Sequence, residues 1–244
     1  MSKKYSNKGY AARVAVQPKK DNTNTIIAIV TAALCLAVVA AIVIAILVGT
    51  GAFEPKVEVD MAQVKSEINA YKAEDFAQTD KVTNYVKITV KDYGDIVIRL
   101  RPDVAPKTVE NFQKLVKEGH YSGKIFHRVI QNFMIQGGGF DGTGAQHEVS
   151  SIKGEFTNNG HENNLLHVRG VISMARTNVP DSASNQFFIC DAASSHLDGS
   201  YAAFGYVLAG MEVVDAIAAV DTDGNDKPYD NVIIEKAVFV DPVN

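Results

Sequence analysis

The sequence predicts a mainly β domain, a closed β-barrel with two helices, which follows a single transmembrane helix. Three observations lead to this fold class. The C-terminal two thirds of the 244 residues contain many short strand-like runs, the same region contains only two stretches with helical periodicity, and one long apolar run lies near the N-terminus. Many short strands with few helices favour a barrel over an alternating βαβ arrangement.

The apolar run covers residues 26–48, which are 23 consecutive positions without a charged side chain. At about 1.5 Å per residue, a helix of this length spans roughly 34 Å, and a bilayer core is roughly 30 Å thick. A cleavable signal peptide is the main alternative, but its apolar region is usually only about 7–15 residues long. We therefore predict a retained single-pass membrane anchor over residues 26–48.

Charged residues are distributed unevenly around this run. Residues 1–25 contain six basic side chains and one acidic side chain, a net charge of +5. The rest of the chain has 18 basic and 27 acidic residues, a net charge of −9. The positive-inside rule then places the basic tail, residues 1–25, in the cytoplasm and the C-terminal part outside the membrane. The overall charge of −4 argues against a nucleic-acid binder.

The segment that follows the anchor, residues 49–81, is predicted to be a stalk. Gly49, Gly51 and Pro55 end the membrane helix. Apolar residues then recur at helical spacing between Met61 and Tyr71, which predicts a short amphipathic helix. The globular domain is predicted over residues 82–244.

Elements of this domain follow one another in a regular order. Residues 85–90 and 95–100 alternate around a turn, as the strands of a hairpin do. Pro106 begins a helix that ends at Gly119, and a second helix is predicted over residues 211–219. The remaining strands are predicted at residues 124–130, 133–137, 170–175, 186–190, 202–208 and 231–240.

Motifs for cofactors, metals and hydrolysis are incomplete. A GxGxxG match at residues 137–142 is not followed by the helix that dinucleotide binding requires. Residues 221–225 begin like a calcium loop, but Asp226 stands where that loop has glycine and Val232 where it has glutamate. The six histidines have no tight ligand spacing, and no GxSxG motif is present. We predict no cofactor and no bound metal.

Four blocks near the middle of the domain resemble a known family. In order, they read FHR-x-I-x-x-FM-x-QGG from residue 126, SMA from residue 173, NQFFI from residue 185 and LDG-x-x-x-x-FG from residue 197. Over about residues 83–240, the chain thus resembles the cyclophilin family of peptidyl-prolyl cis-trans isomerases. The resemblance implies an antiparallel eight-stranded barrel capped by two helices, with proline-containing polypeptides as substrates.

Site residues are also implied by the resemblance. Arg128 occupies the position of the catalytic arginine, and Gln136 that of the glutamine beside it. The apolar pocket for the substrate proline corresponds to Phe133, Met134, Phe188 and Leu197. The other substrate-binding positions are Ala175 and Gln186 in the adjacent groove, together with Tyr201 and His127.

Two departures from the family pattern affect the pocket, and one affects a turn. The best-known members have a tryptophan where this chain has His196, and a histidine where it has Tyr201. We therefore expect weak binding of the inhibitor cyclosporin, because the indole is a principal contact for that drug. Residues 131–132 are Gln-Asn instead of Pro-Gly, which we expect to alter a turn and not the chemistry.

The predicted function is the isomerisation of X–Pro bonds to assist the folding of exported proteins. The chain would be a single-pass membrane protein with its N-terminus in the cytoplasm and its catalytic domain outside, and the general character of the sequence favours a bacterial origin. A non-catalytic holdase that uses the same proline groove is the main alternative, and a scaffold whose stalk helix recruits a partner is a third, based only on the amphipathic pattern over residues 61–76. Retention of Arg128 together with the pocket residues favours catalysis.

Overall fold

The structure, a computed structural model, describes residues 57–243. The predicted tail and membrane helix therefore lie outside the described residues. The described part belongs to one compact unit, Lys56–Asn244. Within it, no helix combines the length and the apolar character needed to cross a bilayer.

Nine strands and three α-helices make up this unit. In chain order they are α1 (Met61–Glu67), β1 (Phe76–Gln78), β2 (Tyr85–Val90), β3 (Gly94–Leu100), α2 (Pro106–Lys117), β4 (Lys124–Ile130), β5 (Met134–Asp141), β6 (Val171–Met174), β7 (Phe187–Cys190), β8 (Ala203–Ala209), α3 (Met211–Ala218) and β9 (Val232–Pro242). Short 3₁₀ turns occur at Ala73–Asp75, Thr157–Asn159 and Ser195–Leu197.

Eight of the strands form a closed antiparallel barrel, as predicted. Neighbours follow the order β9-β2-β3-β8-β6-β7-β5-β4, and β4 pairs again with β9 to close the ring. The alternation along β2 explains its orientation, because Val86, Ile88 and Val90 are buried while the residues between them are half-buried. The apolar face of α2, which includes Phe112, packs into the same core. Side chains therefore fill the barrel interior, and any ligand site must lie on the outside.

Residues 57–81 pack on the outside of the barrel, although the sequence places them in a stalk. The predicted short helix is present as α1, and its Val64 is almost completely buried. Phe76 is buried as well, and β1 pairs with the C-terminal end of β9. The helical periodicity correctly predicts α1, but it does not specify which surface the apolar face covers. The compact unit consequently begins near residue 56 and not at residue 82.

A polar network fixes α1 to the barrel wall. Glu67 accepts hydrogen bonds through Oε2 from Arg99 Nη1 at 2.6 Å and from the Tyr206 hydroxyl at 2.5 Å. Burial and the bond to Glu67 raise the pKa of Tyr206 to about 12, so the phenol remains a donor at neutral pH. Since Arg99 lies on β3 and Tyr206 on β8, the network joins α1 to two neighbouring strands.

Candidate active site

Arg128 and Gln136 lie opposite each other on neighbouring strands. They form a cross-strand pair between β4 and β5, and Gln136 in turn lies opposite Phe188 on β7.

Asn132, in the turn between β4 and β5, has a φ of 59°, in the left-handed region. Asparagine tolerates this conformation better than most residues, so the departure from the family pattern at this turn is accommodated without disturbing the strands.

A small cavity of about 120 Å³ opens beside these strands. It is lined by Arg128, Phe133, Met134, Gln136, Ala175, Arg176, Phe188, Leu197 and Tyr201. Sites that bury drug-sized molecules usually enclose about 300–1,000 Å³. The cavity beside β4 and β5, at about 120 Å³, is smaller than these sites and therefore suits one small group, such as a single saturated ring.

Apolar walls of the cavity belong to one packed cluster. Met134 and Phe188 are almost completely buried, and Leu197 is presented by the short turn Ser195–Leu197. The rings of Phe188 and Tyr201 meet edge to face, with centroids 5.9 Å apart. The ring of Phe133 lies 5.3 Å from that of His196 at the rim. The pocket walls are thus held in place before any ligand arrives.

A buried histidine supports this cluster from behind. His167 Nδ1 lies 2.9 Å from Asp198 Oδ1, its Nε2 lies 3.0 Å from Ser173 Oγ, and its ring stacks on Phe188. Burial lowers the pKa of His167, which favours the neutral ring. The serine–histidine–aspartate order is that of a hydrolase, but Ser173 is completely buried and no substrate can reach its hydroxyl. We conclude that the network has a packing role, which no sequence motif indicated.

The predicted groove residues lie beside the cavity. Gln136 Nε2 donates a hydrogen bond to Gln186 Oε1 at 2.9 Å, which links the two glutamines. Both residues, with Ala175, also line a second, more polar cavity of about 350 Å³. The structure therefore brings together an apolar pocket and an adjoining polar groove, an arrangement that suits an extended peptide.

Arg176 lies between the two cavities and was not singled out from the sequence. Its Nε and Nη2 donate to the carbonyl of Ser200, at 3.1 and 2.7 Å, and its Nη1 donates to the carbonyl of Thr177. The guanidinium also lies over the rings of Phe156 and Tyr201, at 4.9 and 4.6 Å from their centroids. These contacts fix a positive charge at the junction of pocket and groove.

His127 is the one predicted site residue that lines neither of these two cavities. Its ring lies 4.6 Å from that of Phe140, and within the described residues its buried Nδ1 has no hydrogen-bond partner. Burial, together with the charge of Arg128, lowers the pKa of His127 to about 4, so it is neutral at pH 7. The pairing of β4 with β5 shifts register between Phe126 and Arg128, and this bulge at His127 changes the direction of the side chains on either side of it.

Comparison with known proteins gives a consistent result. The family model described as cyclophilin type peptidyl-prolyl cis-trans isomerase/CLD matches residues 85–239. Peptidyl-prolyl cis-trans isomerase A of Dickeya dadantii is 46% identical over 148 residues, which are 57% of this chain and 73% of that protein. Peptidyl-prolyl cis-trans isomerase CYP65 of Arabidopsis thaliana is 37% identical over 195 residues, which are 79% of this chain and 30% of that protein. The chain thus spans less than a third of the length of this plant relative.

Solved structures show the same likeness. A cyclophilin type peptidyl-prolyl cis-trans isomerase of Cryptosporidium parvum, crystallised in the presence of the dipeptide Ala-Pro, superimposes with a TM-score of 0.55 at 30% identity. The match covers 63% of this chain and 97% of that one. The similarity therefore extends over nearly the whole of that domain.

Proposed function

Because this chain belongs to the cyclophilin-type family of peptidyl-prolyl cis-trans isomerases, we propose that its barrel domain rotates X–Pro bonds in exported polypeptides while residues 26–48 hold it at a membrane. One observation supports this reaction more strongly than the other observations do. Four apolar side chains enclose a space for a single ring, and a guanidinium lies on the same cavity wall. The curated relatives of this domain are themselves named as isomerases.

Binding would begin with the pyrrolidine ring in the apolar pocket. The pocket walls are Phe133, Met134, Phe188 and Leu197. Burying the three methylenes of proline at about 0.8 kcal/mol each gives roughly 2 kcal/mol, enough to hold the ring but not to trap the product. The neighbour that was crystallised in the presence of Ala-Pro supports a proline-containing ligand.

The polar groove would hold the chain that precedes proline. Each glutamine amide offers two N–H donors and one carbonyl acceptor, and the bond between Gln136 and Gln186 uses one donor and one acceptor. The Gln186 side chain also contacts His127, so the remaining groups of Gln136 are the ones available to a peptide backbone. With the ring fixed in the pocket, rotation about the amide moves the segment on the N-terminal side.

Arg128 would act on the transition state. Rotation about an amide has a barrier of about 18–20 kcal/mol, because the C–N bond has partial double-bond character. In the twisted state the proline nitrogen loses conjugation and regains a lone pair, which an N–H donor from Arg128 stabilises. The planar ground states have no such lone pair, so the interaction favours the transition state selectively.

Cyclosporin binding provides a test of the pocket rim. His196 stands where the best-known family members have tryptophan, and its ring lies against Phe133. We expect His196→Trp to tighten cyclosporin binding by about tenfold, since a larger apolar ring on the rim contributes roughly 1–2 kcal/mol. Titration of the inhibitor against isomerase activity measures this change. His161→Trp, outside the pocket, is the matched control, and equal inhibition of all three proteins would contradict the assignment of His196.

Membrane attachment is tested by topology and fractionation. The proposed anchor over residues 26–48 and the basic tail before it place the barrel domain outside the membrane. Protease given access to the outer face of intact cells should digest residues 57–244 and spare residues 1–25. Deletion of residues 26–48 should move the domain to the soluble fraction. Complete protection from protease would reverse the proposed orientation, and a full chain that is soluble without detergent would contradict the anchor.

A further inference from the structure

We propose that Asp226 is a positioning residue that orients the guanidinium of Arg128 for the reaction. The proposal rests on the proposed function of Arg128 and adds a second residue to it. Arg128 donates a hydrogen bond from Nε to Asp226 Oδ2 at 3.3 Å. Asp226 lies in the connection between α3 and β9, 98 positions from Arg128 along the chain.

This connection is built so that it places the Asp226 carboxylate reproducibly. Asp223 Oδ1 accepts hydrogen bonds from the backbone N–H groups of Asn225 and Lys227, at 2.8 and 3.0 Å. The Asp226 N–H donates to the carbonyl of Asp223, and Asp226 itself has a φ of 64°. Aspartate is one of the few residue types that adopts this left-handed conformation readily. The turn is therefore ordered by its own hydrogen bonds.

A second tether joins the turn directly to the catalytic strand. The backbone N–H of Val129 donates to the carbonyl oxygen of Asp226 at 2.8 Å. Val129 follows Arg128 on β4, so the main chain of Asp226 is fixed next to the residue that its side chain contacts. Any shift of the Asp226 main chain relative to β4 would require this bond to break, so the carboxylate can move only by rotation of its own side chain.

The atom that Asp226 contacts leaves the rest of the guanidinium available. Within the described residues, the Nε bond is the one side-chain hydrogen bond that Arg128 makes. Its Nη1 and Nη2 groups, which hold four of the five N–H donors, are thus available to a substrate. A carboxylate on Nε fixes the plane of the guanidinium without occupying these donors.

Stability of the fold does not explain the pair. The side chains of Arg128 and Asp226 are 41% and 43% exposed, and ion pairs this exposed contribute little to folding. Arginine does lose considerable rotamer freedom when it is held in one geometry. If Asp226 restricts the rotamers of Arg128 before substrate binds, Arg128 loses less conformational entropy on reaching the transition state. The benefit is therefore expected in the rate and not in the melting temperature.

Asp226→Gly tests the proposal in the full chain, purified in detergent. Glycine adopts the positive φ without strain, so the variant removes the carboxylate and keeps the turn. We expect kcat/KM to fall by about threefold to tenfold, mainly through kcat, with an unchanged Tm. Asp226→Asn retains an acceptor oxygen and suits the same φ, and should recover more than half of the lost rate. Asp230→Gly removes an acidic residue from the same connection and should leave the rate unchanged.

A double-mutant cycle separates positioning from a structural effect. Lysine has no Nε–H, so Asp226→Gly should change the rate by less than about twofold in an Arg128→Lys background. An unchanged or increased rate in Asp226→Gly, or an equal loss in both backgrounds, would overturn the proposal. If Asp226→Gly lowers Tm, the Asp226→Asn variant and the double-mutant cycle still distinguish a positioning role from a loss of stability. A wild-type chain without isomerase activity would instead contradict the proposed function, which distinguishes the two failures.

Discussion

Replacement of Arg128 by alanine is expected to lower kcat/KM by about 100- to 1,000-fold, the usual effect of removing one pre-oriented donor from a transition state. The fold should remain intact, because the side chain is 41% exposed and its removal leaves no cavity in the core. A protease-coupled assay with an X–Pro peptide measures the rate, and circular dichroism measures the fold. Arg128→Lys should give an intermediate rate, since it keeps the charge but loses the planar fork.

A surface arginine provides the matched control for this variant. Arg169 is 44% exposed and pairs with Asp215 on α3, outside the pocket. Arg169→Ala should leave kcat/KM within about twofold of wild type. Equal rates for Arg128→Ala and wild type would contradict the mechanism. A wild-type domain that binds proline peptides without accelerating their isomerisation would support the holdase alternative.

The second large effect concerns stability and the boundary of the domain. A chain that begins at residue 82 should be at least about 4 kcal/mol less stable than one that begins at residue 57. Phe76 is 4% exposed, and loss of a buried phenylalanine side chain alone usually costs about 3–5 kcal/mol. For a domain of this size, 4 kcal/mol corresponds to a fall in Tm of roughly 8–16 °C. Denaturant titration of the two chains measures the difference.

Single substitutions separate the contributions of this segment. In the longer chain, Phe76→Ala should reproduce most of the loss, because its ring contacts those of Tyr71 and Tyr85. Tyr71→Ala should cost much less, since Tyr71 is 47% exposed. If the chains starting at 57 and at 82 unfold at the same temperature, the packed segment makes no contribution and the boundary predicted from the sequence is adequate.

Local elements of the fold were predictable because their signals are local. The alternation over residues 85–90 matches β2 (Tyr85–Val90), and the run at 124–130 matches β4 (Lys124–Ile130). Both helices of the barrel begin and end within a residue or two of their predicted limits. The many short strands favoured a closed barrel, but its eight antiparallel strands were implied by the family resemblance, since periodicity alone does not specify which strands pair. The docking of residues 57–81 was missed for the same reason.

In the candidate site, too, some residues were predictable from local sequence and others depend on the tertiary fold. Arg128, Gln136 and Phe188 lie in sequence blocks that could be matched by their order along the chain, and the structure brings them together. Asp226 could not be found in this way, because it reaches Arg128 from 98 positions away and lies outside those blocks. Arg176 follows a matched block directly, but its position between two rings depends on the tertiary fold.

The central claim is that Arg128 stabilises the twisted transition state more than it stabilises bound substrate. The most direct measurement compares, for wild type and Arg128→Ala, the Kd of an X–Pro peptide and its exchange rate on the enzyme by NMR. Differential binding predicts that Kd changes by less than about fivefold while the exchange rate falls by at least about 100-fold. Equal losses in affinity and in overall efficiency, with an unchanged exchange rate on the enzyme, would show that the arginine only binds the ground state and would contradict the account.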